Sequence, residues 1–441
     1  MRKLLLLNKK KGYISNTTRF LFLGILLCII PLFSFSQDIE WTIYNTANSE
    51  LPHNNIGLEI TIDSNNGKWI PTWGGGVAYF DNEIWTIYDT DNSDLPNNTI
   101  SKNLYIDSNN DKWIPTWGGG VAYFDNETWT IYDTSNSDLP NDYVAQIKKD
   151  KNGVFWMIIQ VDGIASFEQE TETWVYYTQF NSPLSGNHVR DIYIDSENKV
   201  WIGTAGNGLN IIDGEDWIIY DTNNSGLPDD GIRRIIEDTV ASIFWIATNN
   251  GLAKFDGENW AVYDTSNSNL PSNYLISIML APNGDLWIGT WSDPGMLIRF
   301  DGENWTTYDK YNSPLPSDLM VKAISLDHNG DIWVGTDNGI AVISGIYDPT
   351  TSVNEQEYLK EEVKLYPNPV QHELTIAIKD TNFQGAMLRV YNLTGQLVHS
   401  EAMQQHEKQL YLGAYHQGIY FVEISDLSGN VRHLEKVVVG N

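Results

Sequence analysis

The chain repeats one unit, which reads in its second copy Trp85-Thr86-Ile87-Tyr88-Asp89-Thr90, then Lys112-Trp113-Ile114-Pro115-Thr116, then Gly119-Gly120-Val121-Ala122-Tyr123-Phe124. The two tryptophan positions of this unit recur in two series, each advancing by 42 to 46 residues. The series are Trp41, Trp85, Trp129, Trp174, Trp217, Trp260 and Trp305, and Trp69, Trp113, Trp156, Trp201, Trp245, Trp287 and Trp333. A fixed period in this range indicates a unit that buries its apolar face by stacking on copies of itself.

The short runs within each unit are rich in β-branched and aromatic residues, and Gly, Asn, Asp or Pro bounds each run. This composition predicts strands and turns and shows no helical period. Four strands in about 44 residues, repeated radially, are typical of a β-propeller blade. The recurring tryptophans are then predicted to pack between neighbouring blades.

The number of copies predicts how the ring closes. Seven sets of three inner strands are present, and the last set ends near Ser344. Seven outer segments are also present, but the first one, Trp41 to Tyr44, precedes every inner set. The N-terminal strand is therefore predicted to complete the last blade, which removes two open sheet edges. The prediction is an all-β chain with a single seven-bladed propeller over residues 37–347.

The N-terminal segment has the layout of a secretory signal peptide. Six basic residues precede the apolar run Phe20 to Phe33, and small residues then lead to a predicted cleavage after Ser36. Removing these six basic residues changes the formal charge of −30 to −36. Such a surface repels nucleic acid and anionic lipid, so neither is expected as a partner. Cys28, the only cysteine, lies inside residues 1–36, which excludes disulfides and cysteine-bound metals from the mature chain.

The repeats resemble the two-component regulator propeller family. The motif that carries the resemblance is a strand ending in Asp, then Gly-x-x-Trp-Ile-Gly-Thr, and its clearest copy contains Asp327, Gly330, Trp333, Gly335 and Thr336. In that family the repeats form periplasmic sensor propellers of hybrid histidine kinases, many of which respond to oligosaccharides. This sequence lacks the transmembrane helix and kinase segment expected after the propeller, so the resemblance implies the fold and favours glycan binding.

The pattern changes after Tyr347. Residues 348–362 are polar and are predicted to be a linker. Residues 363–441 contain six or seven short strands with turn signals, which predicts a small Ig-like β-sandwich. Their motifs resemble the type A C-terminal sorting domain of type IX secretion substrates, and the residues of that motif are Tyr366, Pro367, Asn368, Pro369, Gly395, Gly418 and Tyr420. The resemblance implies interaction with the secretion machinery, export, cleavage of the domain, and release or attachment at the outer-membrane surface.

The propeller sequence contains no pattern typical of an active site. Its three histidines are His53, His188 and His328, and no Ser-His-Asp or His-metal spacing is present. The Asp- and Asn-rich hairpins are predicted to be ordinary turns. A weak calcium candidate is the run containing Asp89, Asp91 and Asp94, but it lacks the terminal bidentate Glu of a calcium loop. No catalytic residue and no cofactor is predicted.

Three further tryptophans fall outside both series. Trp73, Trp117 and Trp291 each directly follow the Trp-Ile-x-Thr strand, in a loop that shares a face with the connectors between blades. Two of them stand beside Gly-Gly-Gly, which allows a ligand to approach closely. An indole stacks well on the C–H face of a sugar, so these side chains are candidate ligand contacts, with local packing as the alternative.

A basic column is predicted on the innermost strand. The residue after the first strand position is basic in four of seven copies, namely Lys102, Arg190, Arg233 and Lys322. If these side chains face the channel, they form a positive pocket inside an acidic protein, suited to a carboxylate or sulfate. The alternative is that these basic side chains line a solvent-filled channel and bind no ligand.

These features leave three hypotheses of function. The first is a secreted or cell-surface, non-enzymatic propeller that binds extracellular carbohydrate, with an anionic polysaccharide satisfying both the tryptophans and the basic column. The second is a protein–protein interaction or adhesion scaffold. The third is a polysaccharide lyase or hydrolase, against which the missing catalytic cluster argues.

Overall fold

The computed structural model describes residues 39–347. From the C-terminal region it describes residues 363–366, 370, 372–378, 386–392, 397–405, 407–412, 415, 417–425 and 431–439. Every regular element in these ranges is a β-strand. Nothing helical in them has the length and apolar character of a membrane-spanning segment. The predicted signal peptide and linker lie outside the described residues.

Seven four-stranded antiparallel sheets form the propeller. The strands are numbered in chain order, and each blade takes four consecutive strands except that β1 (Glu40–Tyr44) belongs to the last blade. Blade 1 consists of β2 (Thr61–Ile62), β3 (Lys68–Pro71), β4 (Val77–Phe80) and β5 (Trp85–Tyr88); blade 2 of β6 (Tyr105–Ile106), β7 (Lys112–Pro115), β8 (Val121–Phe124) and β9 (Trp129–Tyr132); blade 3 of β10 (Val144–Lys149), β11 (Phe155–Ile159), β12 (Gly163–Glu168) and β13 (Thr173–Tyr177); blade 4 of β14 (Val189–Ile194), β15 (Val200–Thr204), β16 (Leu209–Asp213) and β17 (Asp216–Tyr220); blade 5 of β18 (Ile232–Asp238), β19 (Ile243–Thr248), β20 (Gly251–Phe255) and β21 (Trp260–Tyr263); blade 6 of β22 (Leu275–Leu280), β23 (Leu286–Thr290), β24 (Leu297–Phe300) and β25 (Trp305–Tyr308); and blade 7 of β26 (Val321–Leu326), β27 (Ile332–Thr336) and β28 (Ile340–Ser344) with β1.

The N-terminal strand closes the ring, which confirms the prediction. Strand β1 pairs antiparallel with β28, with Tyr44 opposite Ile340. The Tyr44 ring also lies 5.5 Å from the ring of Trp85 in blade 1 and 6.0 Å from that of Trp333 in blade 7. The first and last blades are therefore joined both by a strand ladder and by aromatic packing.

Both tryptophan series pack within and between blades. Trp113 and Trp287 are fully buried, and the outer-strand tryptophans are half-buried. Tyr88 shows how neighbours are linked, since its ring stacks on Trp69 of its own blade at 5.6 Å and contacts Trp129 of blade 2 at 6.0 Å. This arrangement recurs around the ring and accounts for the period of the sequence.

The Asp-rich hairpin turns anchor the inner tryptophans. In blade 1, one Asp63 carboxylate oxygen accepts backbone N–H groups of Asn65 and Gly67, and the other accepts the Trp69 indole N–H at 3.1 Å. The same indole bond recurs in blades 3, 4 and 7. These aspartates therefore hold the turn and orient the indole.

The innermost strand has a β-bulge in blades 3 to 7. In blade 4, for example, Val189 pairs with Thr204 and Asp191 with Gly203, which leaves Arg190 unpaired. In blade 1 the strand is only two residues long, and its middle strand carries Pro71 where blade 4 has Gly203. Proline cannot donate a ladder hydrogen bond, which accounts for the shortened strand. Blade 2 has the same shortening and carries Pro115.

The C-terminal region consists of two antiparallel sheets. One contains β29 (Val363–Tyr366), β30 (Glu373–Ile378) and β33 (Glu407–Tyr411). The other contains β31 (Ala386–Asn392), β32 (Leu397–Met403), β34 (Gly418–Ser425) and β35 (Val431–Val439). Side chains of both sheets, among them Leu374, Ile376, Leu388 and Val422, share one apolar core. This is the predicted small β-sandwich.

Candidate ligand site on the connector face

One face of the ring gathers the connectors between blades and the loops between the second and third strands. Hydrogen bonds join these two kinds of segment, such as the Trp73 N–H to the Asn55 carbonyl at 3.0 Å and the Trp291 N–H to the Tyr274 carbonyl at 3.0 Å. We call it the connector face. All three tryptophans outside the series lie on it, as predicted from their position after the middle strand.

Two of these tryptophans form an open aromatic platform with a tyrosine. The ring centroids of Trp73 and Trp117 lie 5.9 Å apart, and Trp117 lies 5.9 Å from Tyr143, edge to face. Trp73 is 38% exposed and Tyr143 is 45% exposed. Beside them Gly74 has φ +106°, and a Cβ built there meets no atom within 4 Å. The platform therefore presents accessible rings next to open space.

Trp291 belongs to a different group on the same face. It is 45% exposed and packs edge to face on Tyr274 at 5.4 Å. The Arg233 guanidinium lies 4.5 Å from the Tyr274 ring centroid and 5.9 Å from that of Trp291. The three predicted tryptophans are thus divided between an aromatic platform in blades 1 and 2 and a mixed aromatic and cationic group in blades 5 and 6.

Three of the four predicted basic residues occupy the bulge positions. Arg190, Arg233 and Lys322 are the residues omitted from the strand registers of blades 4, 5 and 7. A bulge directs its extra side chain away from the ladder, here towards the connector face. Lys102 differs from the prediction, since it precedes the short strand β6 and is not part of the ladder.

The structure brings Lys102, Arg190 and Arg233 together. The Lys102 ammonium donates to the backbone carbonyl of Arg190, two blades away. The Asn249 carboxamide oxygen accepts from Arg190 at 3.3 Å and from Arg233 at 2.7 Å. We call these three residues the cation cluster. Blade 3, which lies between blades 2 and 4, carries Ala145 at its bulge and so adds no cation there.

Lys322 belongs with the aromatic platform. Its ammonium donates to the Asn55 side-chain oxygen and lies 5.9 Å from the Trp73 ring centroid. Lys322 is 4% exposed. The platform therefore has its own buried cation, and the predicted basic column is divided between two groups as the tryptophans are.

Among the described residues, no carboxylate forms an ion pair with any of these four basic side chains. Burial, together with the neighbouring Arg234, Arg190 and Arg233, lowers the pKa of Lys102 to about 7, although Asp191 opposes the shift. Burial first, and Arg190 second, lower the pKa of Arg233 to about 9. Burial also lowers the pKa of Lys322 to about 8. These cations are therefore destabilised by burial and, in the cation cluster, by one another.

A second charged network lies directly beside the cation cluster in the channel. The Glu59 carboxylate of blade 1 accepts from Lys148 of blade 3 at 2.9 Å and from Arg234 of blade 5. Arg234 also contacts Asp191 of blade 4 at 3.1 Å. Burial raises the pKa of the Glu59 carboxyl, but Lys148 and Arg234 outweigh it and hold the pKa at about 2. We call Glu59, Lys148, Arg234 and Asp191 the channel floor.

The structure does not bring Asp89, Asp91 and Asp94, the weak calcium candidate, together as a cation site. One Asp89 carboxylate oxygen accepts the backbone N–H groups of Asp91 and Asn92, as in an ordinary Asx turn. Within the described ranges, no three His, Cys, Asp or Glu side chains are placed together to hold a metal ion. His188 lies near the cation cluster, and burial followed by Arg190, Lys102 and Arg233 lowers its pKa.

Sequence reasoning missed several members of the site. Tyr143, Tyr274 and Asn249 lie among the predicted residues but were not singled out. Each of the two tyrosines is the last residue of a connector, immediately before an innermost strand. Because connectors lie on the connector face, that position could have predicted both tyrosines as members of the site. Asn249 follows its middle strand as Trp73 does, so the same rule would have selected it.

The residues of the sorting motif are described in part. Tyr366 lies on β29 and is 48% exposed, whereas Tyr420 on β34 is buried and packs edge to face on Tyr415 at 5.4 Å. Gly418 begins β34. Pro367, Asn368, Pro369 and Gly395 lie outside the described residues.

Two family models match the chain. The two component regulator propeller model matches residues 183–206, 269–292 and 314–338. The secretion system C-terminal sorting domain model matches residues 364–440. The chain therefore carries two-component regulator propeller repeats followed by a type IX sorting domain, as both sequence resemblances predicted. It is a secreted propeller protein. The comparison with curated protein sequences finds no match.

Solved structures share the fold. The extracellular domain of a hybrid two component system protein from B. thetaiotaomicron aligns with a TM-score of 0.59 at 19% identity, covering 90% of this chain and 57% of its own. PorZ, a surface component of the type-IX secretion system of Porphyromonas gingivalis, aligns at 0.54 and 17%, covering 88% and 60%. A streptogramin B lyase aligns at 0.55 and 15%, covering 69% and 97%. The chain thus spans less than two thirds of the first two proteins.

Proposed function

We propose that this protein is a non-enzymatic binding propeller outside the cell, and that its connector face binds extracellular anionic carbohydrate. The observation that carries the proposal is the meeting, on one face of a strongly acidic chain, of exposed aromatic rings with partly or fully buried cations that have no ion pair among the described residues. The two groups offer the two kinds of contact that an acidic polysaccharide requires.

The aromatic platform is suited to sugar rings. Trp73, Trp117 and Tyr143 present ring surface beside open space, and neither tryptophan belongs to the series that packs the blades. Stacking on an aromatic face contributes about 0.5–1.5 kcal/mol beyond the area it buries. Two or three such contacts support a weak to moderate affinity that does not depend on charge.

The cation cluster is suited to a carboxylate or sulfate. Within the part of the chain that the structure describes, Lys102, Arg190 and Arg233 donate to carbonyl and carboxamide oxygens, which are weaker acceptors than an anion, and the nearby Asp229 acts on both arginines by its charge without forming an ion pair. A bound anion would relieve the repulsion among them and raise their pKa values towards the ordinary range. The −30 charge of the chain makes this cluster exceptional on its surface.

Export completes the proposal. The sorting domain implies release from the cell or attachment at its surface after the domain is removed, and the predicted leader would carry the chain to the periplasm. In a strain competent for type IX secretion, mass spectrometry of surface and medium fractions should find the propeller without residues 363–441. Recovery of the intact segment from those fractions would contradict this part of the proposal.

The binding proposal is tested by a glycan array with the full secreted chain. Acidic polysaccharides should bind more strongly than neutral ones, and Trp73→Ala with Trp117→Ala should reduce the signal. Lys199→Met is a matched control, because Lys199 pairs with Glu197 and Asp213 at the hairpin end of blade 4, away from the connector face. Binding to no glycan, together with capture of a surface protein, would favour the scaffold function instead.

The enzymatic alternative is tested on the same polysaccharides. The alignment with a streptogramin B lyase makes this check necessary, since a propeller fold is compatible with catalysis. Prolonged incubation should produce neither new reducing ends nor unsaturated uronate product. Turnover that is lost in Arg190→Met but kept in Lys199→Met would overturn the non-enzymatic assignment.

A further inference from the structure

We infer that Lys322 positions Trp73 without contacting the ligand, so that the aromatic platform is a subsite for uncharged sugar rings. This inference rests on the proposed function and divides its ligand between two subsites: acid groups bind at the cation cluster, and neutral rings bind at the platform. A polysaccharide that contains both neutral and acidic sugars satisfies the two together.

Lys322 is enclosed by protein, in contrast to the arginines at the equivalent bulges. It is 4% exposed, whereas Arg190 and Arg233 are partly exposed. An enclosed ammonium reaches an anion only if the side chains around it move. The three bulge cations are therefore not equivalent as ligand contacts.

The Lys322 ammonium is tied to the segment that supports Trp73. It donates to the side-chain oxygen of Asn55, in the connector that enters blade 1. The backbone carbonyl of Asn55 accepts the Trp73 N–H at 3.0 Å, and the Asn55 N–H donates to Nδ1 of His53 at 3.0 Å. Asn55 thus joins the bulge of blade 7 to the backbone of the platform.

The same ammonium acts on the Trp73 ring. It lies 5.9 Å from the ring centroid, within reach of the attraction between a cation and an aromatic face. Because Trp73 is 38% exposed, packing restrains its ring less than it restrains a buried tryptophan. Lys322 therefore supplies part of the restraint that keeps this ring in place beside Trp117.

An equivalent contact joins blades 5 and 6. Arg233, at the bulge of blade 5, lies 5.9 Å from the ring centroid of Trp291 in blade 6. Trp291 follows its middle strand as Trp73 does. A bulge cation against the loop tryptophan of the following blade is thus a repeated arrangement, and no ligand contact is needed to explain the position of Lys322.

A carboxylate flanks the platform on the side of blade 7. Asp337 occupies in that blade the loop position that Trp73 occupies in blade 1, and its negative charge acts on Lys322. Its oxygens accept the backbone N–H groups of Leu319 at 3.1 Å and Asp318 at 3.3 Å. An acidic sugar on the platform would meet this negative charge while Lys322 stayed enclosed, so the platform favours a neutral ring.

The test compares an oligogalacturonide with its methyl ester of equal length, by calorimetric titration of the full secreted chain. Lys322→Met should weaken binding of both by the same factor, about two- to fivefold, because a poorly held ring stacks less well. The ratio of the two affinities and the salt dependence of acid binding should stay as in the wild type. Arg190→Met with Arg233→Met should lower that ratio instead, and Lys199→Met should leave both affinities unchanged.

Two further measurements separate positioning from a general loss of structure. In a Trp73→Ala chain, Lys322→Met should have no further effect on affinity, because the residue through which it acts is gone. In near-ultraviolet circular dichroism of the ligand-free chain, Lys322→Met should change the spectrum in the same sense as Trp73→Ala, since the Trp73 and Trp117 indoles lie close enough to couple. If Lys322→Met does not fold, Asn55→Ala breaks the same link and should weaken both ligands equally.

Selective weakening of the acid by Lys322→Met, with loss of salt dependence, would show that Lys322 contacts the ligand and would overturn the inference. A methyl ester that fails to bind while the acid binds would also overturn it, because the platform would then hold no neutral ring. Both results leave the proposed function intact. If no glycan of the array binds the wild-type chain, the proposed function fails, whereas the dichroism spectra still decide the positioning role: an unchanged spectrum in Lys322→Met overturns it.

Discussion

Blades 1 and 2 differ from blades 4 and 5 at the innermost strand and at the loop beside it. The first pair has two-residue inner strands, a proline in the middle strand and a Trp-Gly-Gly-Gly loop. The second pair has inner strands of six and seven residues, each with an arginine at its bulge. The first pair contributes Trp73 and Trp117 to the connector face together with Lys102, and the second contributes the two arginines of the cation cluster.

The comparison separates the positions that maintain the fold from the positions that are free to vary. Both pairs keep the inner tryptophan and the outer aromatic residues that pack neighbouring blades. Their differences include the length of the innermost strand, the bulge, the middle-strand residue facing it and the connector-face loop. Packing between blades therefore continues unchanged while each blade presents a different ligand contact.

The largest expected effect concerns stability and separates packing tryptophans from platform tryptophans. Trp113 is fully buried against Tyr123, Tyr132 and Phe155, so Trp113→Ala should lower the free energy of unfolding by about 3–5 kcal/mol. Trp117 in the same blade is only partly buried, between Trp73 and Tyr143, so Trp117→Ala should lower it by much less, about 1 kcal/mol. Denaturant titration followed by fluorescence measures both. Equal losses would show that Trp117 is a packing residue.

The second prediction removes the contribution of blades 4 and 5. Arg190→Met with Arg233→Met should weaken binding of an acidic oligosaccharide about 10- to 100-fold, the effect expected of charge-assisted hydrogen bonds. Stability should change little, because Arg190 repels Arg233 while Asp229 attracts both side chains. Calorimetry and thermal denaturation provide the two readouts. Unchanged affinity in a folded double variant would exclude the cation cluster from the site.

The third prediction removes the contribution of blades 1 and 2. Trp73→Ala with Trp117→Ala should weaken binding by about 1 kcal/mol per ring, about 2 kcal/mol in total, which lies within the range expected for the loss of the two arginines. The two double variants should also respond differently to salt. The tryptophan variant should keep the salt dependence of the wild type, whereas the arginine variant should lose most of it. Identical salt dependence in both would mean that the two groups do not act separately.

The smallest effect is a dependence of binding on pH. The pKa values of about 7 for Lys102 and about 8 for Lys322 lie below the ordinary value for lysine. Both side chains are charged at pH 6 and lose their charge as the pH rises through these values, so anion binding should weaken severalfold towards pH 9. Lys102→Met with Lys322→Met should flatten the profile. A profile that is equally steep in this variant would assign the titration to other groups.

The same depressed pKa values have a consequence for stability. Between the folded-state pKa near 7 and the unfolded-state value near 10.5, the unfolded chain binds more protons at Lys102 than the folded chain does. Proton binding at Lys102 therefore increases the free energy of unfolding as the pH rises through that window. Lys102→Met should remove this contribution.

Sequence alone was sufficient for the fold, because the fold depends on repetition. The spacing of Trp69, Trp113 and their equivalents gave the number of blades, and the early position of Trp41 gave the closure. The bulges could not be read in the same way. Whether Arg190 takes part in the strand ladder depends on which residue lies opposite Gly203. The short innermost strand of blade 1 depends on Pro71 lying in the neighbouring strand, opposite the residues that would otherwise extend it.

The site was predictable by residue type but not by grouping. The exposed tryptophans and basic residues were identified because they depart from the repeat or from the overall charge. Their division into two groups depends on which blades are adjacent in the closed ring and which face each other across its channel. The contact between Glu59 and Arg234, 175 positions apart, forms only when the closed ring brings blades 1 and 5 to one axis. No local pattern in the sequence carries that information.

The most direct measurement is a pair of titrations of the full secreted chain with one oligogalacturonide and with its methyl ester of equal length. The sugar rings are the same in both ligands, so the aromatic platform contacts nearly identical rings, and only the acid group differs. The acid should bind at least about tenfold more tightly than the ester, and Arg190→Met with Arg233→Met should remove this difference. Equal affinity for acid and ester in the wild-type protein would contradict this prediction.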